Sequence, residues 1–229
     1  MSDFTTWRSL VDGEEIGVIP DLEGLHEWLF DEGQGGTAQD RVGDADFDLT
    51  SIGWESGVGV GDYVIDFGGD GHMTVADHDL DDWGDSGGVI MQIYPRDESD
   101  FDTFYHQTND DRVYMTYDGG DDDWIIGIGD IAGDTFGLGA VNWNEWNGIA
   151  LFWDNGDFDA YHYDFATESM TSVSDTYGGT VVQNGDFTIG SEPQGANPDM
   201  NGDFPRIYDS YLSSPGVKDR FESLIKFYD

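Results

Sequence analysis

Ile149-Ala150-Leu151-Phe152-Trp153 is apolar at every position, and shortly after it Asp159-Ala160-Tyr161-His162-Tyr163-Asp164-Phe165 alternates between apolar and polar. An unbroken apolar run of this length predicts a central strand covered on both faces, and a period of two predicts a strand with one face buried. The same alternation recurs elsewhere. Tyr63, Ile65 and Phe67 share one side of their run, as do Val89, Met91 and Ile93, and Val113, Met115 and Tyr117. Thr180 to Gln183 and Asp186 to Ile189 flank Asn184-Gly185, a pair suited to the positive φ angles of a tight hairpin turn. Many short strands with turn signals between them predict an all-β sandwich or barrel.

The 229 residues suffice for one large sandwich, and the 14% aromatic share supplies a core although hydrophobic residues make up only 38%. Helical patterning is convincing only at the end. There Ser213-Ser214-Pro215 offers an N-terminal cap, and Val217, Phe221, Leu224 and Tyr228 form one stripe. The expected organisation is an N-terminal arm over 1–21, a sandwich over 22–212 and a C-terminal helix over 213–229. Phe4, Trp7, Leu10 and Ile16 are the apolar anchors of the arm, for packing on the body or on a neighbouring subunit.

Asp and Glu number 49 against 8 Lys and Arg, a net charge of −41 spread along the whole chain. Such self-repulsion destabilises a compact state in dilute buffer, and molar salt screens it. The pattern matches a halophilic, haloarchaeal-type protein. It argues against nucleic acid as a partner, since phosphate binding needs a basic face. Cysteine is absent, so thiol and disulfide chemistry are too. The N-terminus shows no export signal, and no stretch is long and apolar enough to span a membrane.

The order of segments resembles the laminin-G-like branch of the concanavalin A-like lectins and glucanases. Leu25 to Gly33, containing Trp28-Leu29-Phe30-Asp31-Glu32-Gly33, is similar to the family's opening strand. Gly57 to Gly68, Met73-Thr74-Val75 with Val89 to Pro95, Trp146 to Ala150, Phe187 to Gly190, and Asn201 to Tyr208 with Leu212-Ser213 resemble later segments in the family's order. The likeness covers Leu22 to Phe221 and implies a concanavalin A-like jelly-roll β-sandwich of two antiparallel sheets, with Trp146 in its core. One departure is Asp203-Phe204-Pro205 in the closing strand, where Pro implies an edge position or a bulge.

Glucanases of this family carry a Glu-x-Asp-x-Glu strand whose two Glu act as nucleophile and acid. Here only Asp44-x-Asp46-x-Asp48 and Asp77-x-Asp79-x-Asp81 share the spacing, and both read as solvated acid. The five His lack a nucleophile elbow or a zinc-type spacing. The chain is therefore expected to be no enzyme. It needs no cofactor, although Asn197, Asp199 and Asn201 reproduce half of a Ca²⁺ loop and fit either an Asx-rich turn or a bound cation. Trp83 with Asp82, and Trp143 with Asn144, are the candidate carbohydrate platforms.

Residues Met1 to Gly13 also resemble the leader of virion proteins of haloarchaeal viruses. Together these readings predict a non-enzymatic structural and adhesion protein of a haloarchaeal tailed virus, such as a turret, spike or fibre. It would be assembled in the host cytoplasm into the virion, as a homo-oligomer beside other virion proteins. Its partner outside the particle would be a host surface glycan or glycoprotein. The alternatives are a cellular carbohydrate-binding lectin or a glycoside hydrolase on the same fold.

Overall fold

The computed structural model describes residues 8–11, 14–18, 25–57, 59–68, 71–76, 86–96, 101–107, 112–118, 123–129, 135–176, 186–190 and 199–228. Strands follow one another as β1 (Arg8–Val11), β2 (Glu14–Val18), β3 (His26–Glu27), β4 (Thr37–Ala38), β5 (Phe47–Thr50), β6 (Gly53–Ser56), β7 (Tyr63–Asp66), β8 (His72–Val75) and β9 (Ser86–Pro95). They continue as β10 (Phe101–Gln107), β11 (Arg112–Asp118), β12 (Asp123–Gly129), β13 (Thr135–Gly137), β14 (Asn147–Asp154), β15 (Asp157–Asp164), β16 (Ser169–Thr176), β17 (Phe187–Gly190) and β18 (Met200–Tyr208). Two short helices close the chain, α1 (Ser214–Glu222) and α2 (Ile225–Tyr228). None of the described helices is long and apolar enough to cross a membrane.

These strands build a jelly-roll sandwich of two antiparallel sheets. The first runs β13-β12-β11-β10-β17-β8-β5-β4, and the second runs β16-β15-β14-β9-β18-β7-β6 with β3 beside β18. Phe47, Met73, Met115, Trp124, Phe187 and Ile189 of the first sheet meet Ile65, Val89, Met91, Ile149, Leu151 and Trp153 of the second. The other face of the second sheet is covered as well. Ile90, Ala150, Phe152, Tyr161, Tyr163 and Tyr208 lie under Val217, Phe221 and Phe227 of the C-terminal helices and Leu224 of the turn between them. That double cover explains why residues 149–153 carry no polar side chain.

A two-residue turn joins β14 to β15. Asp154 faces Asp157, and Asn155 and Gly156 both have positive φ, at 51° and 96°. This is the Asn-Gly chemistry that the sequence also offers at Asn184-Gly185. Residues 180–185 lie outside the described ones. Both edges of β17 are occupied, by β8 and β10, so its partners are set by the sandwich rather than by a local turn.

Pro205 lies in an inner strand at a bulge. The register of β18 against β9 shifts between Asp203 and Arg206, and Phe204 sits at φ 40°. The terminal helix begins as expected, with Ser213 at the cap position and Pro in the first turn, but breaks after Glu222 into a second short segment. In the N-terminal segment, β1 and β2 form an antiparallel hairpin separate from both large sheets. Leu10 and Ile16 lie in these two strands, while Phe4 and Trp7 lie outside the described residues.

Candidate functional site

Strand β9 turns Val89, Met91 and Ile93 into the sandwich, so Tyr94 points to the opposite face. Asn201 of β18 stands between Tyr94 of β9 and Asp66 of β7 in the ladder, and Glu55 of β6 faces Val64. Four neighbouring strands therefore deliver an aromatic ring, an amide and two carboxylates to one patch beside the C-terminal helices.

Arg96, just past the end of β9, ties the patch together. Its Nε donates to Asp199 Oδ1 at 2.6 Å, one Nη donates to Asn201 Oδ1 at 2.9 Å, and the other donates to Asp66 Oδ1. Burial works against its charge, but the bonds to Asp66 and Asp199 outweigh that and raise its pKa. Asn201 in turn donates from Nδ2 to Glu55 Oε2 at 3.0 Å, which fixes the orientation of the amide. Behind this polar chain stands an aromatic wall. Tyr94 meets Trp146 edge to face at 5.6 Å, and Trp146 packs on Tyr228 of α2 at 4.8 Å.

The open pocket measures 380 Å³, and Glu55, Val64, Tyr94, Arg96, Trp146 and Asn201 line it. That volume, with apolar walls and a few convergent polar groups, is the usual make-up of a small-ligand site. Two carboxylates and an amide oxygen hold the guanidinium, and the Glu55 carboxylate stands beside that amide, so the pocket disfavours anions and presents an oriented acceptor to hydroxyl groups.

Two of the three residues read as cation ligands come together here, on Arg96. Asp199 and Asn201 point their oxygens at the guanidinium, which supplies the positive charge, while Asn197 lies outside the described residues. Among the described residues, no group of three or more His, Asp or Glu is placed to hold a metal ion. Trp143 is half-buried, packing edge to face on Tyr117 at 4.7 Å and against the sandwich core. Asn144, exposed with φ 56°, donates its backbone N–H to Pro95 O at 2.9 Å, so this loop is fastened to the β9 end that carries Tyr94 and Arg96. Trp83 and Asp82 lie outside the described residues.

Sequence reading missed Tyr94, Arg96, Glu55 and Asp66 as site residues. One signal was available for Arg96: it is among only 8 cations in a chain with 49 acids. Of the acids with catalytic-type spacing, Asp44 and Asp48 are exposed, and Asp46 accepts the Asp40 N–H.

No protein-family model matches the sequence, and no curated protein matches it either. Solved structures do match. The fourth domain of a family 43 extracellular arabinanase from Geobacillus stearothermophilus, in complex with arabinotriose, aligns with a TM-score of 0.71 at 16% identity, over 87% of this chain and 98% of that one. Trypanosoma rangeli sialidase in complex with the inhibitor DANA gives 0.64 at 12%, over 99% of this chain and 36% of that one. The binding domain of botulinum neurotoxin DC in complex with SialylT gives 0.68 at 11%, over 88% and 51%. The chain thus spans about a third of the sialidase and half of the neurotoxin chain. At these identities the likeness is one of fold.

These matches overturn the expectation that the chain is no enzyme. The sandwich occurs in glycoside hydrolase and sialidase chains, beside receptor-binding domains, so it is enzyme-associated. The expectation rested on a missing Glu-x-Asp-x-Glu strand. That motif marks one branch of the fold and excludes only its chemistry.

Proposed function

We propose that this chain is a carbohydrate-binding β-sandwich whose pocket, between Tyr94, Trp146, Glu55 and Arg96, receives a neutral sugar ring. The observation that carries this reading is the pairing of an aromatic wall with a hydrogen-bonded chain already fixed in orientation. Sugar rings present an apolar C–H face and a rim of hydroxyls. Tyr94, Trp146 and Val64 suit the first, and Glu55, Asn201 and Arg96 suit the second. Because Arg96 is already tied to Asp66, Asp199 and Asn201, binding orders few side chains, which favours affinity. The solved arabinanase domain, in complex with arabinotriose, and the neurotoxin binding domain, in complex with SialylT, support the reading by analogy of fold.

The finer proposal places this domain on a haloarchaeal virion, as a homo-oligomer that attaches the particle to host surface glycans. Trp143 with Asn144, on the loop fastened to Pro95, would extend the contact. A stoichiometric band for this chain in purified particles supports that placement, and its absence from them removes it. The sugar reading itself is tested by screening the chain in molar salt against neutral and sialylated oligosaccharides. Binding to neutral glycans is the expected result, and no binding to any member of the panel refutes it.

A further inference from the structure

At the far edge of the second sheet, the space between the sheets ends in a small polar pocket of 180 Å³. His162 and Asp164 of β15 lie two residues apart on one strand face, and their ladder partners on the edge strand β16 are Thr171 and Ser169. The loop containing Leu138 to Asn142 covers the patch. Cross-strand neighbours bring side chains within about 5 Å of one another at Cβ, so these four polar groups converge.

The proton on His162 can be placed. Asn147 donates from Nδ2 to two backbone carbonyls, Asn142 O at 2.9 Å and Glu145 O at 2.8 Å. Its Oδ1 must therefore be the atom facing His162 Nε2 at 2.8 Å, and an amide oxygen only accepts. Nε2 carries the proton and Nδ1 carries the lone pair. His162 is 7% exposed and lines the pocket, and its hydrogen bond among the described residues is the one made by Nε2. A neutral imidazole, held by its donor nitrogen and presenting the other, is the arrangement of a metal ligand with its outer-shell support. Asp164 Oδ1 accepts the N–H groups of Ala166 and Thr167, and Oδ2 accepts the Thr167 hydroxyl, so Oδ2 is the oxygen that keeps a lone pair for a ligand.

We propose that this pocket binds a divalent transition ion such as Zn²⁺ through His162 Nδ1 and Asp164, with Ser169, Thr171 and water completing the shell. The nitrogen ligand selects this class over Ca²⁺, which takes oxygen alone. A sugar ring is a poor occupant, because the pocket has no aromatic face. The site is independent of the Arg96 pocket.

The test is a Zn²⁺ titration of the isotope-labelled full chain in molar salt low in chloride, followed at the imidazole nitrogens. The His162 Nδ1 resonance should move while Nε2 keeps its proton. His162→Gln should weaken that tight site by at least the ~10-fold that even an outer-shell change brings, and Asp164→Asn should weaken it too. Ca²⁺ should leave the His162 signal unmoved. If Zn²⁺ binds the acidic surface while His162 Nδ1 stays unmoved, or if both variants bind as the wild type does, the proposal is overturned.

Discussion

The rings of Trp146 and Tyr228 pack 4.8 Å apart, tilted by 40°, so the aromatic wall of the Arg96 pocket rests on the last helical residue described in the chain. Tyr228 is also clasped from below. Its hydroxyl donates to Asp203 Oδ2 at 2.6 Å, and the same oxygen accepts the Val60 N–H at 2.7 Å. Tyr228→Ala should therefore loosen both the helix and the pocket, lowering the melting temperature and any glycan affinity together. Tyr228→Phe keeps the ring and should preserve affinity. Calorimetric binding on the two variants separates these effects.

Asp203 is fully buried, and burial pushes its pKa up to about 7 although Tyr228, Val60, Phe204 and Arg206 all pull it down. Unfolded, the carboxyl would release its proton near the ordinary value of about 3.9. The folded state thus holds a proton that the unfolded state has lost. This contribution to stability is fully present below about pH 4, fades as pH rises to 7 and is gone above it, at about 1.4 kcal/mol per unit. Asp203→Asn should abolish that slope, so that the variant gains stability relative to wild type as pH rises from about 4 to about 7. Melting curves in molar salt, where other charges are screened, read the difference.

Gly148 stands where α1 meets the second sheet. A Cβ there would lie 2.5 Å from the Phe221 ring, and Phe221 is fully buried against Tyr163. Gly148→Ala should force the helix outward at a cost of roughly 1–3 kcal/mol, and Phe221→Ala should cost about 3–5 kcal/mol. Chemical denaturation of the two variants gives both numbers.

The charge of −41 makes a prediction of its own. Raising salt from about 0.1 M to 1 M shortens the Debye length from ~10 Å to ~3 Å. The melting temperature should climb steeply over that range and level off beyond it. A flat profile would argue against halophilic adaptation.

Much of the architecture was legible in short-range pattern. Residues 149–153 gave a central strand, the alternating runs gave its neighbours, and Val217, Phe221 and Leu224 gave the helix face. Pro205 was readable only as an edge or a bulge, because a sequence does not say which strands flank it. The Asn-Gly signal was sound as turn chemistry: Asn155-Gly156 makes such a turn between paired strands, and Asn184-Gly185 lies outside the described residues. The site was far less legible. Glu55 and Asp66 lie on the successive strands β6 and β7, but Tyr94 and Asn201 come from strands distant in sequence, and only the ladder brings the four together. Asp199 and Asn201 drew notice for their spacing, which suits a cation, and the cation they meet is the guanidinium of Arg96.

The most direct test of the sugar-binding claim is isothermal titration, in molar salt, of the neutral oligosaccharide that binds best in the glycan screen. It should be run against wild type, Tyr94→Ala, Glu55→Gln and Trp143→Ala. If the Arg96 pocket is the site, Tyr94→Ala and Glu55→Gln each weaken binding by about tenfold or more, as the loss of an aromatic contact or of a charged hydrogen-bond acceptor should. Trp143→Ala, on the adjoining loop, changes it less. Undiminished affinity in both pocket variants would contradict the assignment and move the site elsewhere on the sandwich.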